Sequence, residues 1–327
     1  MDLILGVEIG GTKLQIALGT PQGQLAAVYR DCVDVEKGAN GILDWLLSRI
    51  PEFTSHSGDH LGRVVAIGCG FGGPIHRNTG RVLKSNQISG WDNFPIRDWL
   101  EDAFQVPVWV ENDSNAAAWG EYLRGVGRGT QHFFYANIGS GVGGGFVFNG
   151  ALYDGQGFGA GEFGHMLVPN PVDKSGKFPV EIEQICSGWA IEARLRQPGY
   201  IPRTSDLFLR KQGRLSDITT GDLADSAKAA DAFALAEIDL VAHTMGIGLA
   251  NVLCLTNVER IAIGGGVSKM GELLIEPIRQ HTARYVFASS KGRYEIQQSE
   301  LGDDIVLVGA ILLAQQILPL DRQDDYR

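Results

Sequence analysis

Short apolar runs recur along the chain, and each ends in glycine: LILGVEI before GGTK, RVVAI before GCGFGGP, HFFYANI before GSGVGGG and RIAI before GGGVS. Their β-branched and aromatic content predicts strands. Glycine just after a strand lets a ligand approach the backbone closely. After the first and third clusters the chain returns to strand-like residues, LQIAL and FVFNG, so each turn predicts a hairpin and not the opening of a helix. The segments LILGVEIGGTKLQIALGTPQGQLAAVY and HFFYANIGSGVGGGFVFNGALYDG share one plan of strand, glycine turn, strand, polar turn and strand. An internal duplication follows.

Helical spacing takes over after each opening. GILDWLLSRIPEF and NAAAWGEYLRGV predict helices in the first half; in the second, LADSAKAADAFALAEIDLVAHTMGIGLANVLCL reads as one helical stretch with Phe233, Ala236, Leu240, Met245 and Leu249 on its apolar spacing. The closing GAILLAQQILPL predicts a helix packed back on the first lobe. VPNPVDKSGKFPVEIE and RQPGYIPRTSDLFLRKQGR, rich in proline and charge, predict loops. The pattern is that of a duplicated α/β protein of two lobes with a cleft between them. Residues 1–114 with 303–327 form the expected smaller lobe, and 115–302 the larger.

A chain of 327 residues exceeds the usual size of a single core, which agrees with two lobes. Its net charge of −10 favours solubility and argues against nucleic acid as a partner. MDLILGVEIGG lacks the basic segment of a signal peptide, and IVLVGAILLA, flanked by Asp303, Asp304, Gln315 and Gln316, is too short to span a bilayer. A cytoplasmic protein is expected. Cys32, Cys69, Cys186 and Cys254 lie far apart, in neither a disulfide framework nor a thiolate zinc pattern, and read as small buried residues.

Glycine clusters suit phosphate because they let backbone N–H groups converge. Gly6 and Gly11 have Walker spacing, but Thr12-Lys13 and a strand follow, which excludes a P-loop. Gly139, Gly141 and Gly144 spell GxGxxG without a following helix, which excludes a dinucleotide fingerprint. VWVENDSNAAAWGEY places Asn112 and Asp113 between an apolar strand and a helix. Asp113 there is either a base or a helix cap.

VEIGGTK, ENDSNAAAWGE, NIGSGVGGG, GEFGHM and IAIGGGVS, in that order, resemble the ROK family of sugar kinases and sugar-responsive repressors, from about residue 3 to about residue 315. The resemblance implies a duplicated actin/hexokinase-like, ribonuclease H-like fold and an ATP-dependent hexose kinase. By it, Gly10, Gly11, Thr12, Lys13, Gly139, Ser140 and Gly141 hold ATP phosphates, while Gly264, Gly265 and Gly266 border the adenosine pocket. Asp113 is the implied base. Asn112, Glu162, His165 and Glu183, with Gly73 and Asn86, are the implied sugar contacts. Glu8 stands where the family usually has the Asp that positions Mg²⁺ through water. A homodimer is also implied. Repressor members carry a DNA-binding segment before the first glycine motif, and no such segment precedes it here. The alternatives are a sugar-binding regulator without turnover, or a kinase for N-acetylhexosamine, for fructose or with polyphosphate as donor.

The family usually continues from GHM into a cysteine-rich zinc motif, where this chain has DKSGKFPVEIE without cysteine. A tetrahedral zinc site needs ligands this stretch does not offer. Purified protein is therefore expected to carry no stoichiometric zinc and to keep its activity after chelation and Mg²⁺ restoration. One zinc per chain by elemental analysis would overturn this.

Overall fold

The computed structural model describes residues 1–85, 87–173 and 178–319, without the side chains of 56–60. In chain order the first part folds as β1 (Asp2–Ile9), β2 (Lys13–Gly19), β3 (Leu25–Cys32), α1 (Gly38–Leu61), β4 (Arg63–Phe71), β5 (Ile75–His76), β6 (Arg81–Val82), α2 (Ile96–Phe104), β7 (Val108–Asn112) and α3 (Asp113–Arg124). Then come β8 (His132–Ile138), β9 (Val142–Phe148), β10 (Ala151–Leu152), β11 (Leu167–Pro169), β12 (Pro179–Glu181), α4 (Ile182–Cys186), α5 (Gly188–Leu195), α6 (Asp206–Arg210) and α7 (Thr220–Lys228). The chain continues through α8 (Ala232–Thr256), β13 (Arg260–Gly264), α9 (Glu272–Tyr285), β14 (Glu295–Gln298) and α10 (Ile305–Ala314).

Two five-stranded sheets have the orders β3-β2-β1-β4-β7 and β10-β9-β8-β13-β14. In the first, β1 pairs antiparallel with β2 and parallel with β4, which pairs parallel with β7. In the second, β9 and β10 are antiparallel, while β13 runs parallel to both β8 and β14. The repeated order is the duplication expected from the two glycine-turn openings.

Contacts divide the chain into compact units: Met1–Gly129, Gly145–Gly161 and Glu300–Arg327 in the first, Thr130–Gly144 and Glu162–Ser299 in the second. Helix α3, beyond the 114/115 boundary expected from the sequence, belongs with the first unit because it packs on α10.

In the first unit β1 is buried on both faces, as a strand between helical layers must be. Leu3, Leu5, Val7 and Ile9 share a core with Ile42 and Leu46 of α1 and Leu100 of α2. On the opposite face Ile4 packs with Ile311 and Ala314 of α10, a helix buried along its whole length. Glycine permits this approach: a Cβ at Gly68 would overlap the Ala310 carbonyl, and one at Gly309 would overlap the Ala116 carbonyl of α3. The GCGFGGP cluster is thus divided by the fold. Gly68 and Gly70 lie within β4 under α10, and Gly72 and Gly73 follow the strand.

In the second unit the stretch read as one helix is broken. Helix α7 ends at Lys228, and Asp231 caps α8 by accepting from the Ala234 N–H at 2.8 Å. The break resets the phase: Ala234, Ile238, Val241, Met245 and Leu249 are buried, Ala236 is exposed, and Phe233 and Leu240 are half-buried. Helix α8 has the length and composition of a membrane span, yet most of its apolar stretch is buried, and its Glu237 pairs with Arg194 at 2.5 Å. It packs on α9, α7 and α4 as a core helix. The proline-rich segments are not wholly loop, since β11 pairs with β12 and α6 forms in the second of them. Cys69 and Cys186 are buried as expected, but Cys32 and Cys254 are exposed.

Glu121 of α3 is fully buried, close in sequence to one end of its segment of the first unit and bonded to the start of another, at Glu300. Its Oε1 accepts from the N–H of Val126 at 3.1 Å and of Glu300 at 2.6 Å, and Oε2 accepts from Leu301 at 3.3 Å. Removing the carboxylate leaves a fully buried side-chain site empty and strands three part-buried backbone donors. Glu121→Ala is expected to lose about 3 kcal/mol of stability. Urea denaturation checks this, and a loss near zero would show that water replaces the carboxylate.

Candidate active site

In the first unit, strand register brings candidate residues together. Ile9 pairs with Phe71, and Phe71 with Asn112, so β1, β4 and β7 end level with one another. The next residues are Gly10, Gly72 and Asp113. A Cβ at Gly72 would lie 3.3 Å from Gly10 Cα and 3.4 Å from Asp113 Oδ2. The carboxylate therefore stands beside the first glycine turn, at the carboxyl ends of parallel strands where α/β folds bind ligands.

Asn112 caps α3, with Oδ1 accepting from the N–H of Ser114 at 3.0 Å and Asn115 at 3.1 Å. The cap is thus Asn112 and not Asp113. Asn112 Nδ2 donates to the Gly73 carbonyl at 3.2 Å, which joins two expected sugar contacts. Asp113 opens the helix, its Oδ1 accepting from Ser114 N–H at 2.7 Å.

Glu8 lies on the α10 face of β1, opposite Gln15 in the hairpin register, and accepts from Gln15 Nε2 at 2.7 Å. Burial raises its pKa to about 7, Asp113 adds to the rise, and Lys13 opposes it. Lys13 is exposed on the turn, 3.3 Å from Asp303.

In the second unit β8 ends beside β13, with Asn137 paired to Gly264. Gly265 takes a left-handed φ of 88° against Asn137 and Ile138, so the IGGGVS and IGSGVGGG turns lie together. Glu183 Oε2 accepts from the Val142 N–H at 2.8 Å, and a Cβ at Gly141 would come within 2.6 Å of that oxygen. Gly188 N–H donates to the Gly139 carbonyl at 2.8 Å, so the Ser187-Gly188 pair braces the same turn. Glu162 and His165 are exposed at a 3-10 turn, His165 Nδ1 lying 3.5 Å from Glu181 Oε1. Asn86 falls outside the described residues.

Whether these turns suit a nucleotide can be judged from their glycines. Gly10, Gly139 and Gly266 have no left-handed φ, and a Cβ at each would meet only ordinary contacts or, at Gly266, nothing within 4 Å among the described residues. Packing does not demand glycine there. An open backbone face at a strand end fits a phosphate or ribose. For a hydrated divalent cation, the neighbouring carboxylates Glu8 and Asp113 are the right donor type. Among the described residues no cluster of three or more His, Cys, Asp and Glu forms a metal site.

The motifs did not reveal Gln15, Glu181, Gly188, or the Arg77, Glu111 and Asp154 cluster behind Asp113. Gln15 was legible, because a two-residue hairpin turn at residues 11 and 12 sets it opposite Glu8.

Residues 4–317 match the profile of the ROK family. A glucokinase of Halalkalibacterium halodurans is 33% identical over 95% of this chain and 94% of its own. A glucokinase of Thermotoga maritima is 33% identical over 96% and 97%. The crystal structure of a ROK family glucokinase from Streptomyces griseus, in complex with glucose and AMPPNP, superposes with a TM-score of 0.82 at 31% identity, covering 96% of this chain and 99% of that one. The fold is that of these actin/hexokinase-like proteins.

Glu8 generates a pH test. Its folded pKa, about 7, lies above the ordinary 4.5, so the native state binds the extra proton and stability falls as pH rises through that window. Glu8→Gln removes the effect. Its stability relative to the unaltered protein is expected to grow by up to about 3 kcal/mol between pH 4.5 and above 7 in EDTA. Denaturant titrations at several pH values check this, and a constant difference would refute it.

Proposed function

The chain belongs to the ROK family, and from that premise we propose that it is a sugar kinase that transfers the terminal phosphate of ATP to a hydroxyl of glucose or a close relative, with Asp113 as the base. The observation that carries this reading is the placement of Asp113 Oδ2 beside Gly72 and the Gly10 turn. The glucose and AMPPNP bound by the Streptomyces griseus relative support the substrate and donor classes.

A sugar hydroxyl is a poor nucleophile, and Asp113 takes its proton as the new P–O bond forms. The rest of the task is alignment and charge stabilisation. Gly10, Gly11, Thr12 and Lys13 hold phosphate, as do Gly139, Ser140 and Gly141, while Gly264, Gly265 and Gly266 border the adenosine. Gly73 and Asn112, tied to each other, contact the sugar together with Asn86. Glu162, His165 and Glu183 contact sugar, and Glu183 also fixes the Gly141 turn through Val142. Mg²⁺, held through water by Glu8, would neutralise charge on the phosphates. The enzyme works as a cytoplasmic homodimer.

Coupled ADP-release assays over a sugar panel test the reading, with glucose or a near relative expected as the best acceptor. No turnover of any hexose would overturn it. Asp113→Asn keeps shape but cannot take the proton, so turnover is expected to fall roughly a thousandfold while sugar binding persists. Near-normal turnover in that variant would remove Asp113 as the base.

A further inference from the structure

We propose that Glu111 and Arg77 are positioning residues for Asp113, forming a buried ion pair that fixes the strand-to-helix junction on which the base is carried. The inference rests on the reading of Asp113 as base. Glu111 is the penultimate residue of β7 and only 3% exposed. Its Oε1 accepts from the Asn112 N–H at 3.1 Å and from Asn115 Nδ2 at 3.2 Å. One oxygen thus holds the chain on both sides of Asp113.

The other oxygen, Oε2, lies 3.5 Å from Arg77 Nε and has no hydrogen-bond partner among the described residues. Arg77, on the turn between β5 and β6, is itself held from several directions. Its Nη1 is 2.9 Å from Asp154 Oδ2, and its guanidinium lies 5.3 Å from the centre of the Trp109 ring. Its backbone N–H donates to Gly157 O at 3.0 Å, and its carbonyl accepts from Arg97 Nη2 at 2.6 Å.

A carboxylate this deeply buried is costly unless a cation faces it. Without Arg77 the buried carboxylate would lose the cation that faces it, and its grip on Asn112 and Asn115 would loosen. Apolar residues would hold a core at least as firmly as an ion pair does. Its location behind the base therefore points to orientation.

The test measures kcat, sugar KM and thermal stability for Arg77→Met, the double variant Arg77→Met/Glu111→Gln, Asp154→Asn and Asp113→Asn. Arg77→Met is expected to lower kcat by roughly tenfold or more with sugar KM changed far less, because a small misplacement of a reacting group costs rate and not ground-state binding. The double variant should regain most of that kcat, since glutamine keeps the accepting oxygen and removes the unpaired charge. Asp154 is substantially exposed, so Asp154→Asn tests the pair without burying a charge and should lower kcat by roughly two- to fivefold. If Arg77→Met does not fold, the double variant and Asp154→Asn carry the test. Lowered stability with kcat of the folded protein intact in all of them would overturn the proposal, leaving the pair a structural one. If Asp113→Asn keeps its turnover, the base reading and the positioning role fall together. If Asp113→Asn is inactive and the Arg77 and Asp154 variants turn over normally, the positioning role alone falls.

Discussion

The approach of α10 to β4 and α3 governs the first unit. At Gly68 and Gly309 the backbones of two elements come so close that only hydrogen fits, and the neighbouring Ala116, Ala117 and Ala118 keep α3 equally slim. Dispersion falls steeply with distance, so this contact ties the position of α3 to the helix beneath it. Asp113 is the first residue of α3 and inherits that position. The proposed base is thus placed by packing that begins at the far end of the sequence.

Parallel strands do the rest of the alignment. Because β1, β4 and β7 end in register, Gly10, Gly72 and Asp113 emerge side by side, and β8 and β13 bring the Gly139 and Gly265 turns together in the same way. The glycines around these ends divide into two kinds. Gly68 and Gly265 are demanded by neighbouring backbone or by a left-handed φ, whereas Gly10, Gly139 and Gly266 are not. The second kind leaves backbone open at the ends of the strands.

Charge is handled locally despite the acidic composition. Glu8, Glu111, Glu121 and Glu237 are all buried, and each has a named partner: Gln15 for Glu8, Asn112, Asn115 and the nearby Arg77 for Glu111, backbone N–H groups for Glu121 and Arg194 for Glu237. A buried carboxylate without such an answer would be neutralised or expelled.

The sequence by itself determined the strands, the hairpin turns and the duplication, because each depends on residues adjacent in the chain and on a local period. It also put forward Asp113, Asn112 and the glycine motifs as candidates, because their residue types and spacing are local. Only the tertiary structure decided that Asn112 rather than Asp113 caps α3, that Gly68 serves α10, and that the long second-half helix breaks before Asp231 and buries Ala234, Ile238 and Val241 in place of Phe233, Ala236 and Leu240 in its first turns. It alone brought Arg77 to Glu111 and Glu300 to Glu121. Such contacts join residues remote in sequence, and their energies come from burial and close approach, which the order of residues along a chain does not express.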